Sequence, residues 1–143
     1  MSSKPPMPDS GLRSTPHLRV LVAEPNVSAR EWLAPLVREV GGHMIEVETG
    51  LELQLALARG GYDLVVTHAR LPTPSGLQVL ASARAAGSTV PFIVITSFEQ
   101  GSVRVFVSDQ EGTVLSSRVL NAEQLTTLMA GLVPGAKSTR QLG

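Results

Sequence analysis

Three stretches of this chain are too continuously apolar to be half-exposed strands: Leu18-Arg19-Val20-Leu21-Val22-Ala23, Asp63-Leu64-Val65-Val66-Thr67 and Val90-Pro91-Phe92-Ile93-Val94-Ile95-Thr96. Short runs of this kind, rich in β-branched residues, belong to strands buried on both faces. Between them, apolar residues recur at helical spacing: Trp32, Leu33, Leu36, Val37 and Val40, then Leu51, Leu53, Leu55, Ala56 and Leu57, then Leu77, Val79, Leu80 and Ala83. Strands alternating with helices imply a parallel sheet covered on both sides.

Local signals set the boundaries. Asn26 or Ser28, Thr49 and Asn121 are placed to cap helices. Gly41-Gly42, Gly60-Gly61 and Gly87 end them. Pro35 would kink or break the first helix if it falls beyond the first turn. His43 to Glu48 alternates in part, as a strand would, and Thr113 to Ser116 is a last short strand. Leu125, Leu128, Met129 and Leu132 form the apolar face of the final helix. The segment 97–112 is ambiguous. Val103-Arg104-Val105-Phe106-Val107 alternates like a strand, and propensity favours extended structure. The alternating architecture asks for a helix there, so a short, irregular fourth helix is expected. Residues 18–132 then form one flavodoxin-like α/β domain, a doubly wound sheet of five parallel strands. Residues 1–17, with four of the ten prolines, read as a disordered leader, and 133–143 as a flexible tail.

Composition removes several function classes. Twelve Lys+Arg balance twelve Asp+Glu, which argues against a strongly charged nucleic-acid or membrane surface. The chain has no cysteine, hence no disulfide and no thiolate metal site. No apolar run is long enough to suggest a spanning helix or a signal peptide, and a cytoplasmic location is the expectation. Neither phosphate-loop, dinucleotide nor nucleophile-elbow motifs occur. His17 and His43 have no partner at ligand spacing, and Ser75 reads as a turn or cap residue.

In this order and spacing the motifs resemble the receiver domain of bacterial response regulators. RVLVAEPN stands where that family has an apolar strand ending in two acidic residues. YDLVVTHARLPTPSG stands where it has the strand that ends in the phosphoacceptor aspartate. PFIVIT ends at Thr96, the family's hydroxyl position, and Arg118 stands at the place of its lysine. The resemblance implies strand order 2-1-3-4-5.

It also shows what has changed. Glu24 occupies the first acidic position, Pro25 the second, and His68 the phosphoacceptor position; Leu115 and Val119 replace an aromatic switch residue and a proline. Mg²⁺ wants oxygen ligands in octahedral geometry, which a Glu, a Pro and a His do not supply. One His and one Glu are too few for zinc. The expectation is therefore a pseudo-receiver that is not an enzyme, binds no Mg²⁺ or cofactor, and has Glu24, Pro25, His68, Thr96 and Arg118 as a degenerate pocket. In that pocket Arg118 would pair with Glu24 and lock one conformation. Function then falls to surfaces. In receivers the face of the fourth helix, fifth strand and fifth helix commonly signals. Here it carries Val103, Val105, Phe106 and Val107, so a protein partner or a homodimer contact is expected there, with the same valines equally able to fill the core. Two other readings stand beside it: a residual phosphoacceptor at His68, and a small-anion or cofactor sensor using Thr96, Arg118 and protonated His68.

Overall fold

The computed structural model describes residues 18–109 and 114–133, without the side chains of 114–116. The expected leader, Thr113 and the tail beyond Val133 lie outside the described residues. In chain order the elements are β1 (Leu18–Ala23), α1 (Val27–Glu39), β2 (Gly42–Val47), α2 (Gly50–Arg59), β3 (Leu64–His68), α3 (Gly76–Ala85), β4 (Phe92–Glu99), β5 (Ser102–Ser108), β6 (Val114–Asn121) and α4 (Ala122–Leu132). They build one sheet in the order β2-β1-β3-β4-β5-β6.

The unbroken apolar runs are explained by two cores, one on each side of the sheet. Val20, Val22, Leu64, Val66, Ile93 and Ile95 face α1 and α4, where Leu33, Val37, Leu125 and Met129 meet them. Leu21, Ala23, Val65, Phe92 and Val94 point the other way, onto Leu53 and Ala56 of α2 and Val79 and Leu80 of α3. Alternate residues of one strand thus serve opposite cores, and neither set can be polar. The α/β, flavodoxin-like class follows from this layering.

Helix caps anchor the carboxyl edge of the parallel strands. Asn26 Oδ1 accepts from Ala29 N–H at 2.9 Å. Thr49 and Glu52 close a capping box on α2, and Ser75 with Gln78 closes another on α3. Each cap contributes about 1 kcal/mol. Pro35 does not end α1, which runs on to Glu39. The proline ring is exposed, so the carbonyl it leaves without a helix donor can take one from water.

The region after β4 departs from the five-stranded, wholly parallel sheet. Strands β2, β1, β3 and β4 are parallel, but β5 runs antiparallel to both β4 and β6. The irregular fourth helix is not formed; its sequence is β5. Two causes decide this, one local and one tertiary. Gln100-Gly101 joins β4 to β5, and Gly101 sits at φ 85°, which glycine adopts at no steric cost and a tight hairpin demands. Val103, Val105 and Val107 then all enter the α1/α4 core, where helical spacing would have buried only Val103, Phe106 and Val107. A period of two matched the sequence better than a period of 3.6. A bulge at Thr96 sets Ile95 opposite Val105 and Ser97 opposite Arg104.

Candidate functional site

Register brings two residues of the expected pocket, Glu24 and His68, together. Ala23 of β1 pairs with Thr67 of β3, so Glu24 and His68, one residue further, lie side by side at the carboxyl edge. Glu24 is buried. Its Oε2 accepts the Asn26 N–H at 3.0 Å, while Oε1 is buried without a hydrogen-bond partner. Burial raises the Glu24 pKa above its ordinary value; the Asn26 hydrogen bond and neighbouring positive charge pull the other way.

His68 is held by its own loop. Its Nδ1 accepts the Arg70 N–H at 3.0 Å. A neutral ring with Nδ1 as acceptor carries its proton on Nε2. Both nitrogens are therefore committed: one lone pair is bound, and the other nitrogen is a donor. The loop itself is fixed from both ends. Gly76 N–H donates to the Ala69 carbonyl at 3.0 Å, and Gly50 N–H to the Pro72 carbonyl at 3.2 Å. A Cβ on Gly76 would strike the His68 carbonyl, and would come within 2.8 Å of Thr67 Oγ1. Glycine is what lets α3 start against the end of β3.

The other predicted residues do not join Glu24 and His68 in a pocket. Pro25 is exposed and leads into the Asn26 cap. Thr96 lies within β4 at its bulge, and its hydroxyl donates to the Arg104 carbonyl at 3.2 Å, which ties it to β5. Arg118 is in β6 opposite Val105, four strands from Glu24 in the sheet order, or about 19 Å at the usual interstrand spacing. It is exposed and borders a shallow cavity of about 420 Å³ with Leu120, Glu123, Gln124, Thr127 and Leu128. The expected Arg118–Glu24 pair is thus not made, and an anion site built on Thr96, His68 and Arg118 is not assembled. The inserted strand β5 is the reason.

The cation near Glu24 is Arg30, which the sequence reading missed. Its Nη1 donates to the Glu24 carbonyl at 3.1 Å and lies 3.3 Å from Glu48 Oε2; its Nε lies 3.9 Å from Glu46. The available signal was position: one turn after the Asn26 cap, a long side chain reaches back over the strand ends. Of the predicted interaction residues, Val103, Val105 and Val107 are core, and Phe106 is partly buried.

The pocket's donor set does not fit Mg²⁺. It offers one carboxylate already bonded to a backbone N–H, and an imidazole that presents a donor. Among the described residues no three His, Cys, Asp or Glu side chains gather as a metal site. No helix is long and apolar enough to cross a membrane.

No protein-family profile matches the chain. Over 80 residues it is 29% identical to the swarming motility regulation protein RssB of Serratia marcescens, which covers 56% of this chain and 36% of that protein. The chain thus spans little more than a third of that relative's length. Among solved structures it resembles the N-terminal domain of an uncharacterized protein of Wolinella succinogenes, with a TM-score of 0.51 and 28% identity over 58% of this chain and 67% of that one. With the β2-β1-β3-β4 order and the sequence motifs, these similarities support a receiver-like domain.

Proposed function

We propose that this chain is a pseudo-receiver in bacterial signal transduction, acting as a phosphorylation-independent module that binds a protein partner. The observation that carries the proposal is the state of His68. A phosphoacceptor imidazole needs a free lone pair, and the Nδ1 lone pair is bound by the Arg70 N–H. Beside it stands one buried carboxylate, Glu24, already bonded to the Asn26 N–H, a donor set that does not suit the metal phosphoryl transfer uses. The likeness to a motility regulator supports a signalling context.

The partner surface we assign is the side of β5 and β6 opposite α1 and α4. Phe106 lies there with Val119, which is 52% exposed. Leu77, 45% exposed, borders the same area. It precedes Arg84 by two helical turns, and Arg84 reaches Ser108 of β5 at 2.9 Å, so Leu77 lies on the β5 side of α3. Elsewhere on this side α2 and α3 cover the sheet. A partner's amphipathic helix, laid beside α3, would cover the rest in the same way.

Incubation with acetyl phosphate and Mg²⁺ followed by intact mass measurement tests the first part. No phosphoryl adduct is expected; an adduct lost in His68→Ala would overturn it in favour of residual phosphotransfer. Affinity capture from the native organism tests the second. Val119→Glu and Leu77→Glu should each lose the captured partner, and retention by both would refute the surface.

A further inference from the structure

The helix α2 carries an outward stripe that its own fold does not use. Leu51 and Leu55 are one turn apart and 55% and 53% exposed. On the same side stand Glu52, in the first turn, and Arg59, in the last, both exposed. Glu52 spends Oε1 on the Glu48 and Thr49 N–H groups, at 2.7 and 3.3 Å, which leaves Oε2 for another donor. Arg59 has no ion-pair or hydrogen-bond partner among the described residues. Seven residues separate the two charges, about 10.5 Å along the axis. They share a stripe but cannot pair within one chain.

Two such helices placed antiparallel solve this mismatch. A two-fold axis between positions 55 and 56 sets Glu52 of one copy level with Arg59 of the other, and the reverse. Leu55 then packs beside its own copy on the axis, flanked by Leu51 from each chain. The same patch is used twice, as an isologous interface requires, and antiparallel helix dipoles add favourably. We propose that the occupant of this face is a second copy of the chain, in an antiparallel α2–α2 homodimer with Leu55 at its centre and two Glu52–Arg59 pairs at its ends. This surface is separate from the β5–β6 face assigned to the partner, and it does not depend on that assignment.

A contact of this size is weak, so the test is sedimentation equilibrium of the full chain from about 1 to 500 µM. The wild type should move from monomer to dimer over this range. Leu55→Glu should stay monomeric at the highest concentration. Charge exchange makes the test specific. Arg59→Glu alone sets Glu against Glu52, and Glu52→Arg alone sets Arg against Arg59, so each should remain monomeric. Mixed one to one, both end pairs are restored, and a heterodimer should form with at least a tenfold gain in association over either variant alone. Circular dichroism checks that Glu52→Arg, which also loses the capping box, still folds. A monomeric wild type throughout, or a dimer that Leu55→Glu and the charge exchange leave unchanged, would overturn the proposal. Association of Leu51 and Leu55 with a foreign helix and not with a second copy would overturn it too.

Discussion

Replacing His68 by Asp introduces, where receivers carry an aspartate, a second carboxylate beside the buried Glu24. Burial already disfavours the ionised form of Glu24 beside residue 68. An aspartate there would oppose ionisation. The two side chains project from adjacent strands at neighbouring register positions, which places two carboxylates about 5 Å apart. At an effective dielectric of about 20 their repulsion is about 3 kcal/mol. For a domain of this size that lowers Tm by about 12 °C at neutral pH. Glu24 in the fold has its pKa raised, so the native state holds a proton that the unfolded chain releases. Stability therefore falls as pH rises from the ordinary carboxylate value, 4.5, through the folded value, and is flat above it. His68→Asp should enlarge and extend that fall. Two facing carboxylates also suit Mg²⁺, so about 10 mM Mg²⁺ should recover most of the lost Tm in the variant and leave the wild type unchanged. Thermal melts across pH, with and without Mg²⁺, measure all of this. A variant as stable as the wild type at pH 8 and no more pH-dependent would refute the placement of Glu24 beside residue 68.

Other perturbations follow from packing. Gly76→Ala should destabilise the fold by about 2–3 kcal/mol in chemical denaturation, because the added Cβ meets the backbone at His68. Gly131→Ala in α4, where nothing lies within 4 Å of the new Cβ, should stabilise it by about 0.5–1 kcal/mol through helix propensity. Arg84→Met should cost about 2–4 kcal/mol. The guanidinium donates to Ser108 Oγ at 2.9 Å and to the carbonyls of Ser88 at 3.0 Å and of Ser108 and Asp109 at 3.2 Å, and Ser108 is buried. Hydrogen exchange should then show β5 opening more readily at its Ser108 end.

Much of the fold was legible because double burial leaves a plain signature. The runs at 18–23, 63–67 and 90–96 bury apolar residues on both faces, and a sheet between two helical layers accounts for that. The caps at Asn26, Thr49 and Asn121 were equally plain, since each side chain satisfies a backbone donor within three residues. What escaped was nonlocal. Whether Val103 to Val107 becomes a strand depends on the valines finding room beside Ile93 and Ile95, which no window of sequence contains. The site was legible by address, because Glu24 and His68 follow directly from where β1 and β3 end. Its partners were not. Arg30 reaches the edge from a helix, and Arg118 misses it because a strand intervenes.

The changed residues at the edge and the antiparallel β5 are connected through Arg118. In the receiver pattern the last strand lies next to the fourth, and its terminal cation meets the phosphoacceptor strand across one neighbour. Here the hairpin partner β5 occupies that place and moves β6 outward by one interstrand step, about 5 Å. The cation is carried with it onto the α4 side, beside Glu123 and Thr127. No substitution at positions 25 and 68 can reverse that displacement. Asp at both positions would rebuild an oxygen-rich metal pocket, but a phosphoryl group placed there would still lack its cation. Arg118→Ala, introduced into the His68→Asp chain, should therefore change neither its Mg²⁺-dependent Tm recovery nor its pH profile. A shift of more than about 2 °C in that recovery would mean that Arg118 reaches the edge after all, and that β5 does not separate it from the site.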